Sequence, residues 1–135
     1  AKVFGNYYGT PKDWVEQKML TGRNLILEID WQGALQLKSQ LRNSVSIFIL
    51  PPDYETLRNR LISRQKDDTE TIERRMDAAC VEISHYKDFE YIIIHDNFES
   101  ALAEIKTIIT TTNLGSCRQS EFYDDFVSQI MAQKD

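Results

Sequence analysis

Cysteine is scarce in this chain: Cys80 and Cys117 are the two among 135 residues. Neither has a companion at metal-ligand spacing, which excludes a cysteine-based structural metal site. Read as free thiols, they point to a reducing compartment, the cytoplasm. Long apolar runs are missing too. None approaches the ~20 residues that cross a membrane, and no signal-peptide pattern opens the sequence. Positive charge is in deficit, with 16 Lys and Arg against 21 Asp and Glu and a net charge of -5. That balance argues against a general nucleic-acid binder, because no overall positive field is available. Local arginines can still hold one small anionic ligand. Internal repeats and low-complexity segments are also absent.

What remains is 41% hydrophobic and 27% charged, a composition that suits one soluble globular domain with little room for a second. Ala1 opens directly into Lys-Val-Phe-Gly-Asn-Tyr-Tyr with no cap or turn ahead of it. The chain is therefore expected to be a portion of a longer protein.

The organising stretch is Asn24 to Gly33, Asn-Leu-Ile-Leu-Glu-Ile-Asp-Trp-Gln-Gly. Leu25 to Ile29 is short and aliphatic, as a buried strand would be. On a strand, Glu28 and Asp30 share one face. Two acids at the exit of a buried strand need partners, since burying them unpaired is costly. In an open parallel sheet the carboxyl ends of the strands are where ligands sit. A hydrated magnesium ion, or a cationic side chain beside a nucleotide, would serve both. Equally, one acid caps the next helix and the other pairs with a lysine.

Ahead of this stretch, residues 1–10 read as a strand end, a Gly-Asn turn and an aromatic pair. Tyr7 and Tyr8 face opposite ways, so one can pack while the other offers its hydroxyl to a cleft. Thr10 caps a helix begun by Pro11, with Trp14, Val15, Met19 and Leu20 inward and Gly22 as its stop.

Beyond it, a helix is expected from Gln32 to Leu41 and a β-branched strand from Val45 to Leu50, ended by Pro51 and Pro52. Asp53 can cap a helix with Tyr54, Leu57 and Leu61 on one stripe. At ~100° per residue, Arg64 lies beside Leu57, Arg60 a step further round, and Arg58 on the other shoulder. Such arginines either snorkel or aim into a cleft. A helix from Asp68 or Thr69 carries Ile72, Met76, Ala79 and Ile83, with Arg75 bordering that stripe and Arg74 facing away. Arg64 and Arg75 thus have the best geometric claim to a shared anion. A strand from Tyr91 to Ile94 ends in His95-Asp96-Asn97. Two helices follow, one with Ala101, Leu102, Ile105 and Ile109 inward, the last with Phe122, Phe126 and Ile130 on one face. Alternating strands and helices imply an α/β fold with a parallel sheet.

Gly5-Asn6-Tyr7-Tyr8-Gly9-Thr10, followed by Ile29-Asp30-Trp31-Gln32-Gly33, resembles the guanylate kinase family, most closely its bacterial members. The likeness continues through Ile47 to Pro52, Arg60-Leu61, Arg64, Arg75-Met76, His85-Tyr86 and Tyr91 to Ile94. The resemblance implies a parallel-sheet, P-loop NTPase-like nucleoside monophosphate kinase fold, incomplete at its N-terminus. Residues 1–10 would end the GMP-binding region, 11–52 belong to the core, 53–84 form the lid region, and 85–135 return to the core and the C-terminal helices. By the same resemblance Tyr8 holds the GMP phosphate and Thr10 helps read guanine. Glu28 and Asp30 match the acidic pair near magnesium, which they would meet through water. Arg64 and Arg75 match lid arginines that close on the transferring phosphoryl group, and Arg60 another basic residue of that region. The implied reaction moves the γ-phosphoryl group of ATP to GMP or dGMP with Mg2+, with no nucleic-acid or membrane partner. A homo-oligomer is compatible with it.

Two departures stand out. No Gly-x-x-x-x-Gly-Lys-Ser/Thr pattern occurs in the 135 residues. The chain by itself is therefore expected not to catalyse, and, lacking the strand that carries this loop, which the resemblance implies is interior to the sheet, to be unstable or prone to aggregate. His95 stands where the family usually has asparagine, close to the adenine of ATP. It either keeps an adenine contact or is a loop residue without a catalytic role, and His85 reads as structural. The competing class is a non-catalytic guanylate-kinase-like module that binds phosphorylated peptides. Retention of Arg64 and Arg75 favours the enzyme.

Overall fold

The computed structural model describes residues 2–3, 6–7, 9–41, 43–64 and 69–132, with side chains described for 9–41, 43–63, 69–115 and 123–132. It divides into two compact units, Ala1–Ser44 and Val45–Asp135.

In the first unit, β1 (Lys2–Val3) pairs antiparallel with β2 (Asn6–Tyr7), Lys2 opposite Tyr7 and Val3 opposite Asn6. Asn6, expected in a turn, is therefore a strand residue. Helix α1 (Lys12–Leu20) starts one residue later than expected. Pro11 is its N-cap with no side-chain cap bond, and exposed Thr10 does not cap it. The amide of Gly22, at φ +71, donates to the carbonyl of Met19 at 2.9 Å and closes the helix, as a glycine in the left-handed region does. Only Val15 of the four expected inward residues is buried; Trp14 and Met19 are exposed, and Leu20 is 87% exposed. Nine residues give a helix under three turns, too short for a wide stripe. Trp14 meets a local partner instead, with Nζ of Lys18 5.9 Å from its ring centre.

The expected strand from Leu25 to Ile29 is not formed: residues 23–30 take no helix or strand, and Ile26 is 80% exposed. A strand exists only as part of a ladder, and among the described residues none runs alongside this one. The segment leads into α2 (Trp31–Gln40).

The second unit is built on β3 (Ile47–Leu50) and β4 (Tyr91–Ile94), which run parallel with Phe48 opposite Ile92. Their amino ends are latched reciprocally. The amide of Ser46 donates to Oε2 of Glu90 at 3.0 Å, and the amide of Glu90 donates to Oγ of Ser46 at 3.2 Å. Parallel neighbours need a long crossover, supplied here by α3 (Tyr54–Arg64) and α4 (Thr69–Ser84), followed by a 3-10 turn, Tyr86–Asp88. Asp53 starts α3 as expected, its Oδ1 accepting from the amide of Thr56 at 2.6 Å.

The core of this unit comprises Phe48, Ile72, Met76, Ile93 and Ala101. Phe48 meets Phe89 edge to face at 4.8 Å. On α4 the expected stripe holds: Ile72 and Met76 are buried, Ala79 and Ile83 half-buried. Helix α5 (Phe98–Asn113), capped by Asn97 Oδ1 on the amide of Ser100, buries Ala101 and half-buries Leu102, Ile105 and Ile109. Helix α6 (Ser116–Ala132) departs from expectation, since Phe126 and Ile130 are 57% and 53% exposed; the side chain of Phe122 lies outside the described ones. Its apolar periodicity is present, and among the described residues α5 packs against it. Among the described residues, no helix is long and apolar enough to cross a membrane.

Candidate functional site

The polar rim of the second unit follows from its two parallel strands. Because β3 and β4 point the same way, Leu50 and Ile94 end at one edge. The amide of His95 donates to the carbonyl of Leu50 at 2.7 Å, which carries the ladder one residue past β4. Pro51 and Pro52 cannot extend β3, and Asp53 turns the chain into α3. About two helical turns later, Arg60 lies back over the rim. Its Nη2 donates to the carbonyl oxygen of His95 at 2.9 Å, and its Nη1 lies 3.4 Å from Nδ1 of the same residue.

Around this pair is a cleft of about 190 Å³, lined by Ile49, Leu50, Pro51, Leu57, Arg60, Leu61 and His95. Apolar walls with one planar, permanently charged group suit a flat or anionic ligand. Leu57 and Leu61, read from the sequence only as a buried stripe, prove to be wall residues.

The other arginines separate clearly. Nη2 of Arg58 meets Oε1 of Glu73 at 3.2 Å, an exposed ion pair joining α3 to α4. Arg74 is exposed and Arg75 half-buried, as the angular count implies. Arg64 is the last residue of α3, and its side chain lies outside the described ones, so the expected sharing of an anion by Arg64 and Arg75 falls there too. His85 closes a local contact, Nδ1 to Oδ2 of Asp88 at 3.2 Å, in keeping with a structural part.

Asp53, at the start of α3, has a displaced acidity. Its carboxyl is held below the usual 3.8, chiefly by the backbone N–H and side-chain hydroxyl of Thr56, which bond to the ionised form.

In the first unit, Tyr8 lies outside the described residues, and Thr10 and Glu28 are exposed. Asp30 is half-buried and acts as the N-cap of α2, Oδ1 accepting from the amide of Gly33 at 2.9 Å. The helix-capping part foreseen for one of the two acids is therefore real. Among the described residues, no group of three or more His, Cys, Asp or Glu side chains stands close enough to hold a metal ion. A magnesium site that keeps most of its waters needs only one or two carboxylates.

Comparison with known proteins adds the decisive observation. The model of the guanylate kinase family matches residues 1–112. The chain belongs to the guanylate kinase family. A guanylate kinase of Alcanivorax borkumensis is 51% identical over 119 residues, covering 88% of this chain and 58% of the relative. Guanylate kinases of Escherichia coli O157:H7 and Salmonella paratyphi A are each 44% identical over 132 residues, covering 98% of this chain and 64% of theirs. The chain thus spans about three-fifths of the curated relatives it matches. Family membership brings an α/β fold of the P-loop NTPase type, of which β3 and β4 form a small parallel part.

Proposed function

We propose that the protein containing this chain is a guanylate kinase, transferring the γ-phosphoryl group of ATP to GMP. In that reaction the bond from the γ-phosphorus to the β–γ bridging oxygen breaks. A new bond forms to an oxygen of the GMP phosphate, giving ADP and GDP. No covalent enzyme intermediate is required, and catalysis is positioning plus neutralisation of charge on the equatorial oxygens.

The observation that carries this reading is the family match over residues 1–112. It agrees with a cationic, apolar-walled cleft at the carboxyl ends of two parallel strands, the usual ligand edge of an open α/β sheet. Arg60 works at the ATP side of the reaction from that cleft, with His95 beside it. Arg64 and Arg75 close on the transferring group, and arginine suits this because its planar fork binds phosphate oxygens through two donors. Residues 53–84 make up the lid region, which must open and close around the substrates. Tyr8 and Thr10 serve the GMP phosphate and base. Glu28 and Asp30 stand near Mg2+ through water. When bound, the ion neutralises phosphate charge. A Gly-rich phosphate loop of the Walker type, where the intact protein has one, lies outside these 135 residues.

The alternative of a non-catalytic phosphopeptide-binding module draws no support from the relatives, whose names are those of the enzyme. The reading is tested by incubating the intact protein with ATP and, in separate reactions, GMP, AMP, CMP and UMP. Turnover with GMP alone is expected; turnover with another acceptor instead overturns the assignment.

A further inference from the structure

Arg60 meets His95 at two points, a backbone carbonyl and a ring nitrogen. We infer that His95 is a positioning residue for Arg60: it holds the guanidinium across the strand-end cleft, and that contact in turn places the ring proton on Nε2.

A guanidinium has N–H donors and no acceptor. Nδ1 of His95, 3.4 Å from Nη1, can therefore bond to it only as an acceptor, with its lone pair free. The ring proton then sits on Nε2, since the partner of one ring nitrogen sets the state of the other. His85 is the counter-example within the same chain. Its Nδ1 faces the carboxylate of Asp88, which accepts only, so that nitrogen carries a proton. The two histidines of the chain are thus set in opposite ways by what stands 3.2 to 3.4 Å from Nδ1.

The backbone contact is equally informative. The carbonyl of His95 is fixed because the amide of the same residue extends the β3–β4 ladder. Arg60 is thereby referred to the sheet rather than only to its own helix. The ring contact adds a second point, which limits rotation of the planar fork. Two points are needed where a flat cation must present one face or edge reproducibly.

This inference rests on the proposed kinase reading only for its kinetic arm. In the intact protein three substitutions separate positioning from direct ligand contact. In His95→Asn, the amide oxygen falls near the place of Nδ1 and can still accept from Arg60. In His95→Gln, the longer side chain places its polar end near Nε2 instead. His95→Leu offers neither. The expected result is an ATP KM raised about three- to tenfold in His95→Leu and His95→Gln, and within about twofold of the parent in His95→Asn, with the GMP KM unchanged throughout. The opposite order, Gln like the parent and Asn like Leu, would show that Nε2 meets the ligand directly and overturn the inference. Equal constants in all three would overturn it as well.

The second arm does not depend on activity. Nitrogen-15 spectra of the imidazoles, assigned by loss of one set in His95→Asn, should show His95 protonated at Nε2 and not at Nδ1. Arg60→Met should release that preference, with His85 as an internal reference. A parent protein that fails to turn over GMP while showing this tautomer would discard the kinase reading and keep the positioning one. A proton on Nδ1 of His95 in the parent refutes the positioning role outright.

Discussion

Oδ1 of Asp30 accepts the amide of Gly33 at 2.9 Å, and a β-carbon at position 33 would stand 3.1 Å from that same oxygen and 3.4 Å from Cβ of Ile29. The glycine thus leaves room for the carboxylate to reach the first turn of α2. Asp30→Ala should cost about 1 kcal/mol of stability through the lost cap, whereas Asp30→Asn should keep it. If Asp30 also stands near Mg2+ as proposed, Asp30→Asn should lose turnover without losing stability. Urea unfolding and steady-state kinetics on the intact protein measure the two separately. Gly33→Ala should gain none of the ~1 kcal/mol that alanine normally brings to a helix, because the added methyl crowds the cap.

Arg60 and Arg58 lie two positions apart on α3 and are held differently. Arg60 bonds to His95 within the cleft, while Arg58 is tied to Glu73 in the open. Arg60→Met should lower kcat/KM for ATP at least about tenfold. Arg58→Met should leave it within about twofold and change stability by less than about 1 kcal/mol, as an exposed ion pair does.

Acid should loosen the start of α3 through Asp53. Its folded acidity lies below the ordinary 3.8 because Thr56 bonds to the ionised carboxylate. The cap therefore contributes its stability fully above the ordinary value, and loses it as pH falls through the lowered one. Asp53→Asn should match the parent at neutral pH and show a weaker fall in stability below about pH 4. Urea midpoints measured from pH 6 to pH 2.5 follow this directly.

Met76 is 1% exposed on α4. Met76→Ala should destabilise the protein by about 2–5 kcal/mol, the transfer and cavity cost of a large core residue. Denaturant unfolding at neutral pH is the check.

Where the sequence carries a local physical cause, it predicts the structure well. Asp53 caps the helix expected of it, Ile72 and Met76 are buried on α4, and Gly22 ends α1. Elements that need a distant partner are less legible. Leu25 to Ile29 has the composition of a buried strand but no ladder neighbour among the described residues. The stripe of α6 has its period, yet Phe126 and Ile130 remain exposed. Periodicity reports what a segment could bury, not what covers it. The candidate site behaves likewise. Arg60 and His95 were each legible as single residues through the family resemblance. Their contact across 35 positions arises from the β3–β4 register and the reach of α3, which no local pattern encodes.

The most direct test of the central claim is the product balance of one reaction. The intact protein is mixed with equimolar ATP and GMP and magnesium, and the nucleotides are separated over time. ADP and GDP should appear in equal amounts, and ADP formation should stop when GMP is omitted. ADP formed without GDP, or no consumption of GMP at all, would contradict it.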